Sequence, residues 1–178
     1  MRVGVCTIQK NRSAYIIEWL AFHRIVGVDK FYFYAHDCSD GMEAEILKAQ
    51  RHLDIQLYVI GSDIDRPQIQ AYHHVMQNHG HEVDWMAFID GDEFLFPTED
   101  CTLQDVLRDY QYEKLSAIGV YWKMFGSSGH IKEPQGLIVE NFKKHDEGNC
   151  HIKSIIRGNT VVDFWNGHYS QTLLGTYD

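Results

Sequence analysis

The spacing of apolar residues divides the first half of the chain into alternating segments. Short apolar runs predict buried strands, and segments whose apolar residues recur every three or four positions predict helices. The predicted strands are Arg2–Ile8, Asp29–Ala35, Ile55–Ile60 and Val83–Ile89. The predicted helices are a segment capped by Ser13 that ends at Gly27, then Met42–His52 and Gln68–His79. Because strands and helices alternate, we expect an α/β fold with a mostly parallel central sheet flanked by helices.

The pattern becomes less regular after Pro97. One short helix is predicted there, Thr102–Tyr110, with Thr102 as its N-cap. The further predicted strands are Ser116–Met124, Ile138–Phe142, Ile152–Arg157 and Thr160–Phe164, with Gly158-Asn159 as a hairpin turn. The C-terminal strands are therefore expected to be mixed or antiparallel. The length of 178 residues suits one domain.

The junction between the two halves carries the clearest chemical signal. An apolar run, Trp85–Ile89, ends abruptly in the acidic segment DGDE, and a second apolar run, Phe94–Phe96, follows at once. Clustered carboxylates repel one another unless a cation lies between them, and Mg²⁺ or Mn²⁺ prefers such oxygen ligands. Ligands of open α/β sheets bind beyond the carboxyl ends of the strands. The segment therefore predicts a metal and diphosphate site, the alternative being an acidic turn that caps the next helix.

Within this segment, Asp90 and Asp92 are the predicted ligands of the metal and the diphosphate. Gly91 lies between them and has no side chain. We therefore expect substrate to approach the backbone at this point.

Composition narrows the class of protein. The formal net charge of −9 argues against a general nucleic-acid binder, which would present a basic face, whereas a bound metal can offset the charge of a diphosphate. No apolar stretch reaches the ~18 residues that span a bilayer, and the N-terminus lacks a signal-peptide pattern. The four cysteines form no C-x-x-C pair, which favours reduced thiols in a cytoplasmic protein.

Polar residues after two other strands are candidates for ligand contacts. Asp37 follows the second strand, where a carboxylate can accept from a ribose hydroxyl or a base N–H; the alternative is an Asx-turn. Lys10, Asn11 and Arg12 follow the first strand and meet either a base or a phosphate, or else form a solvated turn. Neither a G-x-G-x-x-G nor a P-loop pattern occurs.

Three residues of the second half are further candidates. Lys153 and Arg157 lie on a predicted apolar strand, and cations there would stabilise a departing diphosphate. The alternative for both is an outward position on an edge strand. His168 is a residue type that binds Mn²⁺, although a histidine taken alone is more often structural.

Several segments together resemble known enzymes. They are KNRSAYIIEWLAFHRIVGVDKFYFY, a D-x-S-D-G turn that begins at Asp37, Gln68-x-x-Ala71-Tyr72, DWMAFIDGDEFLFP, FGSSGH, KSIIR and a late histidine. The set resembles the family-2-like and family-92 glycosyltransferases, and it extends from about Val5 to His168. The resemblance implies the Rossmann-like GT-A fold and a hexosyltransferase that moves sugar from a nucleotide-sugar donor, a UDP-sugar, to a hydroxyl of a glycan or other acceptor.

The resemblance also assigns residues and a cofactor. It implies Mn²⁺, or Mg²⁺, held by Asp90, Asp92 and His168, with Asp90 contacting ribose or sugar as the alternative to direct metal contact. Glu93 either orients ligands or closes the turn. The residues implied in nucleotide-sugar binding are Lys10, Asn11, Asp37, Gln68, Asp90, Lys153 and Arg157. Residues 1–97 would form the nucleotide-sugar-binding half, and residues 98–178 an acceptor-side half that we expect to be truncated.

The catalytic base is the least constrained assignment. An inverting transferase needs a carboxylate that takes the proton of the acceptor hydroxyl. We assign Asp146 because it lies in a polar loop, while Glu133, Glu147 and Asp163 remain open. Two other functions remain open as well: a non-catalytic nucleotide-sugar-binding module, and a metal-dependent nucleotidyltransferase or phosphatase. The absence of glycine from the loop after the first strand counts against a nucleotidyltransferase.

Overall fold

The computed structural model describes residues 1–99, 101–146, 150–160 and 162–167, and the backbone alone of residues 170–172. The strands are β1 (Val3–Gln9), β2 (Lys30–His36), β3 (Ile55–Ile60), β4 (Trp85–Phe88), β5 (Ala117–Tyr121), β6 (Ile152–Arg157), β7 (Val162–Phe164) and β8 (Ser170–Thr172). The helices are α1 (Ile16–Ile25), α2 (Met42–Ala49), α3 (Pro67–His79), α4 (Leu103–Asp109) and α5 (Ile138–Asn141), with a 3₁₀ turn at Gly80–Glu82. None of the helices in these described ranges is long and apolar enough to cross a bilayer.

The central sheet has six strands in the order β3-β2-β1-β4-β6-β5. Strand β1 is parallel to β2 and β4, and β2 is parallel to β3, whereas β6 is antiparallel to β4 and β5. The predicted mostly parallel sheet with antiparallel C-terminal strands is confirmed. Because β6 runs against its neighbours, its first residues lie at the edge where β1, β2 and β4 end. We call this edge the carboxyl edge.

Apolar side chains cover both faces of the sheet, as the continuous apolar strands predict. On one face, Trp85 and Ala87 of β4 pack with Trp19 and Leu20 of α1 and with residues of α2 and α4. On the other face, Met86 and Phe88 pack with residues of α3, including Tyr72. Helices therefore flank the sheet on both sides.

Two turn and cap assignments differ from the sequence prediction. Helix α1 begins later than predicted, with Tyr15 as its N-cap. Ser13 lies in the turn before the helix, where its backbone N–H donates to the Asp40 carboxylate (2.7 Å). The predicted hairpin at Gly158-Asn159 is wrong, since β7 pairs with β8 and not with β6. The N–H of Gly158 donates to the carbonyl oxygen of Asp84 (2.8 Å), which directs the chain away from β6.

The segment Ile138–Phe142 was predicted as a strand, and the structure contains the short helix α5 in its place. The carboxylate of Glu18 explains the difference. It accepts from the backbone N–H groups of Ile138 (2.9 Å) and Val139 (3.0 Å). These are N–H groups that the first turn of a helix leaves without an internal partner. The predicted capping of α4 by Thr102 is confirmed, with a complete capping box to Asp105.

Candidate functional site

Helix α1 fixes the backbone that follows β4. The indole N–H of Trp19 donates to the carbonyl oxygen of Glu93 (2.8 Å), and the N–H of Leu95 donates to Nε2 of His23 (3.1 Å). Burial lowers the pKa of His23 to about 4, so that the imidazole is neutral and Nε2 can accept while Nδ1 donates to Trp19 O. Buried side chains of α1 therefore hold the DGDE segment at the carboxyl edge.

Glu93 closes the turn that carries the two aspartates. Its Oε2 atom accepts from the backbone N–H of Asp90 (2.8 Å), and its own N–H donates to Asp90 O (3.2 Å). Closing the turn is one of the two roles predicted for this residue. The reciprocal bonds fix the direction in which Asp90 leaves the end of the strand.

The carboxylate of Asp90 is bound on both oxygens by residues from distant parts of the chain. Gln68 Nε2 donates to Oδ1 (2.7 Å), and Lys153 Nζ donates to Oδ2 (2.6 Å). The side chain of Lys153 is 5% exposed, and its ammonium group also lies 3.4 Å from Glu93 Oε2. The structure thus brings together three residues that were assigned to the donor site, with one buried cation between two carboxylates.

Burial raises the pKa of Glu93 to about 7, although the nearby Lys153 ammonium acts in the opposite direction. When the pKa of a carboxyl group is higher in the folded than in the unfolded chain, the group stabilises the fold at any pH below its unfolded-state pKa. This stabilisation is lost as the pH rises through its folded-state pKa. We expect the free energy of unfolding to fall by about 3 kcal/mol between pH 4.5 and 7.5 from this group alone. Urea unfolding across that range should show a smaller fall for Glu93→Gln, and an identical pH profile would contradict the expectation.

The loop after β1 pairs with both neighbouring strand ends. Arg12 Nη2 lies 3.0 Å from Asp92 Oδ2, and Lys10 Nζ lies 2.5 Å from Asp37 Oδ2. The hydrogen bond from Lys10 holds the pKa of Asp37 below its usual value. Asn11 Oδ1 accepts from the backbone N–H of Ser39 (2.8 Å). The candidate residues after β1, β2 and β4 therefore form one connected cluster along the carboxyl edge.

Gly91 has a different role from the predicted one. A Cβ atom at this position would lie 2.6 Å from Cγ of Gln9 and closer still to its Cδ. The Gln9 side chain is buried, and its Nε2 atom donates to Thr7 Oγ1 (3.2 Å). The space beside Gly91 is thus filled by protein, so the glycine allows the turn to pack on β1 and does not open it to substrate.

Arg157 is not part of this cluster. It pairs with Trp85 in the ladder between β4 and β6, which places it at the opposite edge of the sheet from Asp90. Its guanidinium donates to the carbonyl oxygens of Leu115 (2.9 Å) and Tyr110 (2.8 Å) and lies over the Trp85 ring at 4.4 Å. The structure therefore does not bring Arg157 together with the other residues predicted to contact a nucleotide-sugar, and its guanidinium ties the loop before β5 to the sheet.

Two predicted site residues are not placed at the site. His168 lies outside the described residues. Asp146 is exposed, and its backbone N–H donates to Met124 O (3.0 Å) in the segment that follows β5. Its role as a base stays a prediction. The described ranges, which omit residues 100, 147–149, 161, 168–169 and 173–178, contain no group of three or more His, Cys, Asp or Glu side chains able to hold a metal.

Sequence reasoning missed three residues of the cluster, Gln9, Trp122 and Gly167. Gln9 lies under the turn as described above. Lys153 Nζ lies 5.6 Å from the centre of the Trp122 ring and 3.4 Å from Gly167 O. A Cβ atom at Gly167 would lie 2.5 Å from Gln68 Oε1, so the segment after β7 packs tightly against α3 here. All three join the cluster through tertiary contacts, which the sequence does not contain.

The mostly parallel sheet, with its antiparallel C-terminal strands and flanking helices, has the GT-A fold. The structure is similar to that of S. aureus TarS residues 1–349 in complex with UDP, with a TM-score of 0.52, 18% identity, and coverage of 76% of this chain and 38% of that one. A second structure of S. aureus TarS residues 1–349 also gives a TM-score of 0.52, at 15% identity, and covers 89% of this chain and 47% of that one.

The chain belongs to glycosyltransferase family 92, whose family model matches residues 1–178. It is 29% identical over 157 residues to a family 92 protein of Oryza sativa subsp. japonica, covering 86% of this chain and 26% of that protein. It is 27% identical over 164 residues to a family 92 protein of Arabidopsis thaliana, covering 86% of this chain and 28% of that protein. The chain thus spans about a quarter of the length of the curated relatives that it matches.

Proposed function

We propose that this chain is a metal-dependent glycosyltransferase that moves a hexosyl group from a UDP-sugar to a hydroxyl of a glycan or other acceptor. Membership of family 92 supports the reaction class, and the UDP complex of the structurally similar TarS supports the donor class. The observation that carries the proposal is the cluster at the carboxyl edge, where Asp90 and Asp92 lie beside the ends of three parallel strands. Ligands of open α/β sheets bind at this edge.

The two aspartates have different roles in this proposal. Both oxygens of Asp90 are hydrogen-bonded to protein, whereas the Asp92 side chain is 63% exposed. Asp92 is therefore the carboxylate better able to ligate a metal, and Asp90 contacts the ribose or the sugar. Carboxylate oxygens fit Mn²⁺ or Mg²⁺, and His168 is proposed as a further ligand from the resemblance. A bound divalent ion would supply positive charge for the departing diphosphate.

The remaining cluster residues would bind and orient the donor. Lys10 and Asn11 follow β1 and Asp37 follows β2, so these side chains lie at the end of the cluster that we propose faces the nucleoside, with Lys10 paired to Asp37. Gln68 and Lys153 hold Asp90 in one orientation, which preorganises the contact to the donor. We propose an inverting transfer in which Asp146 accepts the proton of the acceptor hydroxyl. A cytoplasmic location, predicted from the cysteines, remains a proposal.

Binding of UDP provides the test. We expect UDP to raise the melting temperature of the full chain in the presence of Mn²⁺ and to do so much less without it, because a ligand that binds only the folded state stabilises it by mass action. Asp92→Asn should weaken Mn²⁺-dependent UDP binding about tenfold, as expected when a charged contact is lost. Asp109→Asn, at the exposed end of α4, is the matched control and should bind like the wild type.

The reaction products distinguish a glycosyltransferase from the two alternative functions. Incubation with UDP-sugars, Mn²⁺ and a panel of acceptors should release UDP. Release of pyrophosphate would identify a nucleotidyltransferase, and binding of UDP-sugar without transfer to any acceptor would identify a non-catalytic module. Calorimetry that detects neither Mn²⁺ nor UDP binding would overturn the proposal.

A further inference from the structure

Arg12 has a fixed backbone and an exposed side chain. Its carbonyl oxygen accepts from the N–H groups of Tyr15 and Ile16, both at 3.0 Å, which forms the turn that leads into α1. Before it, Asn11 adopts a left-handed conformation with φ of 53° and is tied to Ser39. The Arg12 side chain, in contrast, is 39% exposed. The hydrogen bonds that hold Arg12 in place are made by the backbone and not by the side chain. The guanidinium can therefore change partner without any change in the fold.

The partner of Arg12 is the aspartate that is best able to ligate a metal. The guanidinium lies 3.0 Å from Asp92 Oδ2, and both side chains are more than a third exposed. An exposed ion pair of this kind is weak and is therefore easily exchanged. A divalent ion held by Asp92 would repel the guanidinium, because the two cations would then share one carboxylate at short distance.

The diphosphate of the proposed donor would offer Arg12 a new partner. Such a group, held beside Asp92 by the metal, would bring acceptor oxygens close to the end of α1 where Arg12 is anchored. A guanidinium is suited to phosphate oxygens, which it can bind through two parallel N–H donors. Lys10 pairs with Asp37 and Lys153 with Asp90, whereas Arg12 pairs with the proposed metal ligand, so Arg12 is the cation of this cluster that would lose its partner to the metal.

We infer that Arg12 exchanges partners during donor binding, from Asp92 in the ligand-free protein to the diphosphate of the donor once a divalent ion occupies Asp92. The inference rests on the proposed function. It means that Arg12 opposes binding of the metal alone and favours binding of the nucleotide after the metal. Metal and nucleotide are then coupled through one side chain, and the coupling is reciprocal.

Two affinities measured on one variant test the inference. Arg12→Gln keeps most of the length of the side chain and removes its charge. We expect the variant to bind Mn²⁺ alone about two- to fivefold more tightly than the wild type by electron paramagnetic resonance, the range that an exposed ion pair allows. At saturating Mn²⁺ it should bind UDP about tenfold more weakly by calorimetry. A merely structural residue would not shift the two affinities in opposite directions.

The control is Arg24→Gln. Arg24 lies on α1, is 53% exposed and pairs with Asp29 at 3.4 Å, so the variant removes a comparable charge and ion pair away from the cluster. Both affinities should equal those of the wild type. Unchanged or weaker Mn²⁺ binding by Arg12→Gln, or unchanged UDP binding, would overturn the inference. If the wild type binds neither Mn²⁺ nor UDP, the proposed function itself fails, which is a different result from a wild type that binds both.

Discussion

Replacement of Lys153 by methionine should lower the free energy of unfolding by about 3 kcal/mol at pH 7.5, because it leaves two partly buried carboxylates without their cation. Lys153 is 5% exposed and lies within ion-pair distance of Asp90 Oδ2 (2.6 Å) and Glu93 Oε2 (3.4 Å). Methionine has a similar length and no charge, so packing changes little. Urea unfolding of the variant and the wild type at pH 7.5 measures the difference.

The pH dependence of this loss identifies its cause. Without the ammonium group, which lowers the pKa of Glu93, that pKa rises further in the folded state, so lowering the pH protonates Glu93 and removes part of the uncompensated charge. The deficit should therefore shrink at pH 5. Lys48→Met is the control, since Lys48 is 64% exposed in an i,i+3 pair with Glu45 and should contribute no more than about 0.5 kcal/mol. A Lys153→Met deficit equal to that of Lys48→Met, or one that grows at pH 5, would contradict this account.

The contrast between Lys153 and Arg157 shows what the sequence could predict. Both lie on β6, which was predicted at its observed bounds, and both were assigned to the donor site. Residues four apart on a strand are separated by about 13 Å, so a single site at a sheet edge reaches only one of them. Which one it reaches depends on the direction of β6 relative to β4, and an apolar run carries no information on direction. The ladder shows that Lys153 lies at the carboxyl edge.

The parallel half of the sheet was more predictable because each of its strands is an apolar run bounded by polar turns. Strand β3, Ile55–Ile60, was predicted at its observed bounds, and the acidic segment after β4 was correctly placed at the end of a buried strand. Short apolar runs of the second half do not distinguish helix from strand. In α5 the helix is stabilised by Glu18, which is 120 residues away from Ile138 in the sequence. Gln9 and Gly91 likewise meet only through the pairing of β1 with β4.

Replacement of Gly158 by alanine should be the most destabilising of these changes, at about 4 kcal/mol, because its neighbours are backbone atoms that cannot rotate away. A Cβ atom at this position would lie 2.6 Å from the carbonyl oxygen of Gly80 and closer still to that of Val83. Relief of this clash requires the end of β6 to move away from the start of β4. That movement would break the hydrogen bond from Gly158 N to Asp84 O (2.8 Å).

Gly126→Ala provides the matched control, because nothing lies within 4 Å of the added methyl group. Its free energy of unfolding should differ from that of the wild type by no more than about 0.5 kcal/mol. Because Gly158 lies at the edge opposite the cluster, a folded Gly158→Ala protein should still bind UDP with Mn²⁺ at low temperature. The loss of stability should appear as a lower melting temperature. Equal stability of the two alanine variants would show that the backbone around Gly158 can relax, and that the end of β6 is not held against the residues before β4.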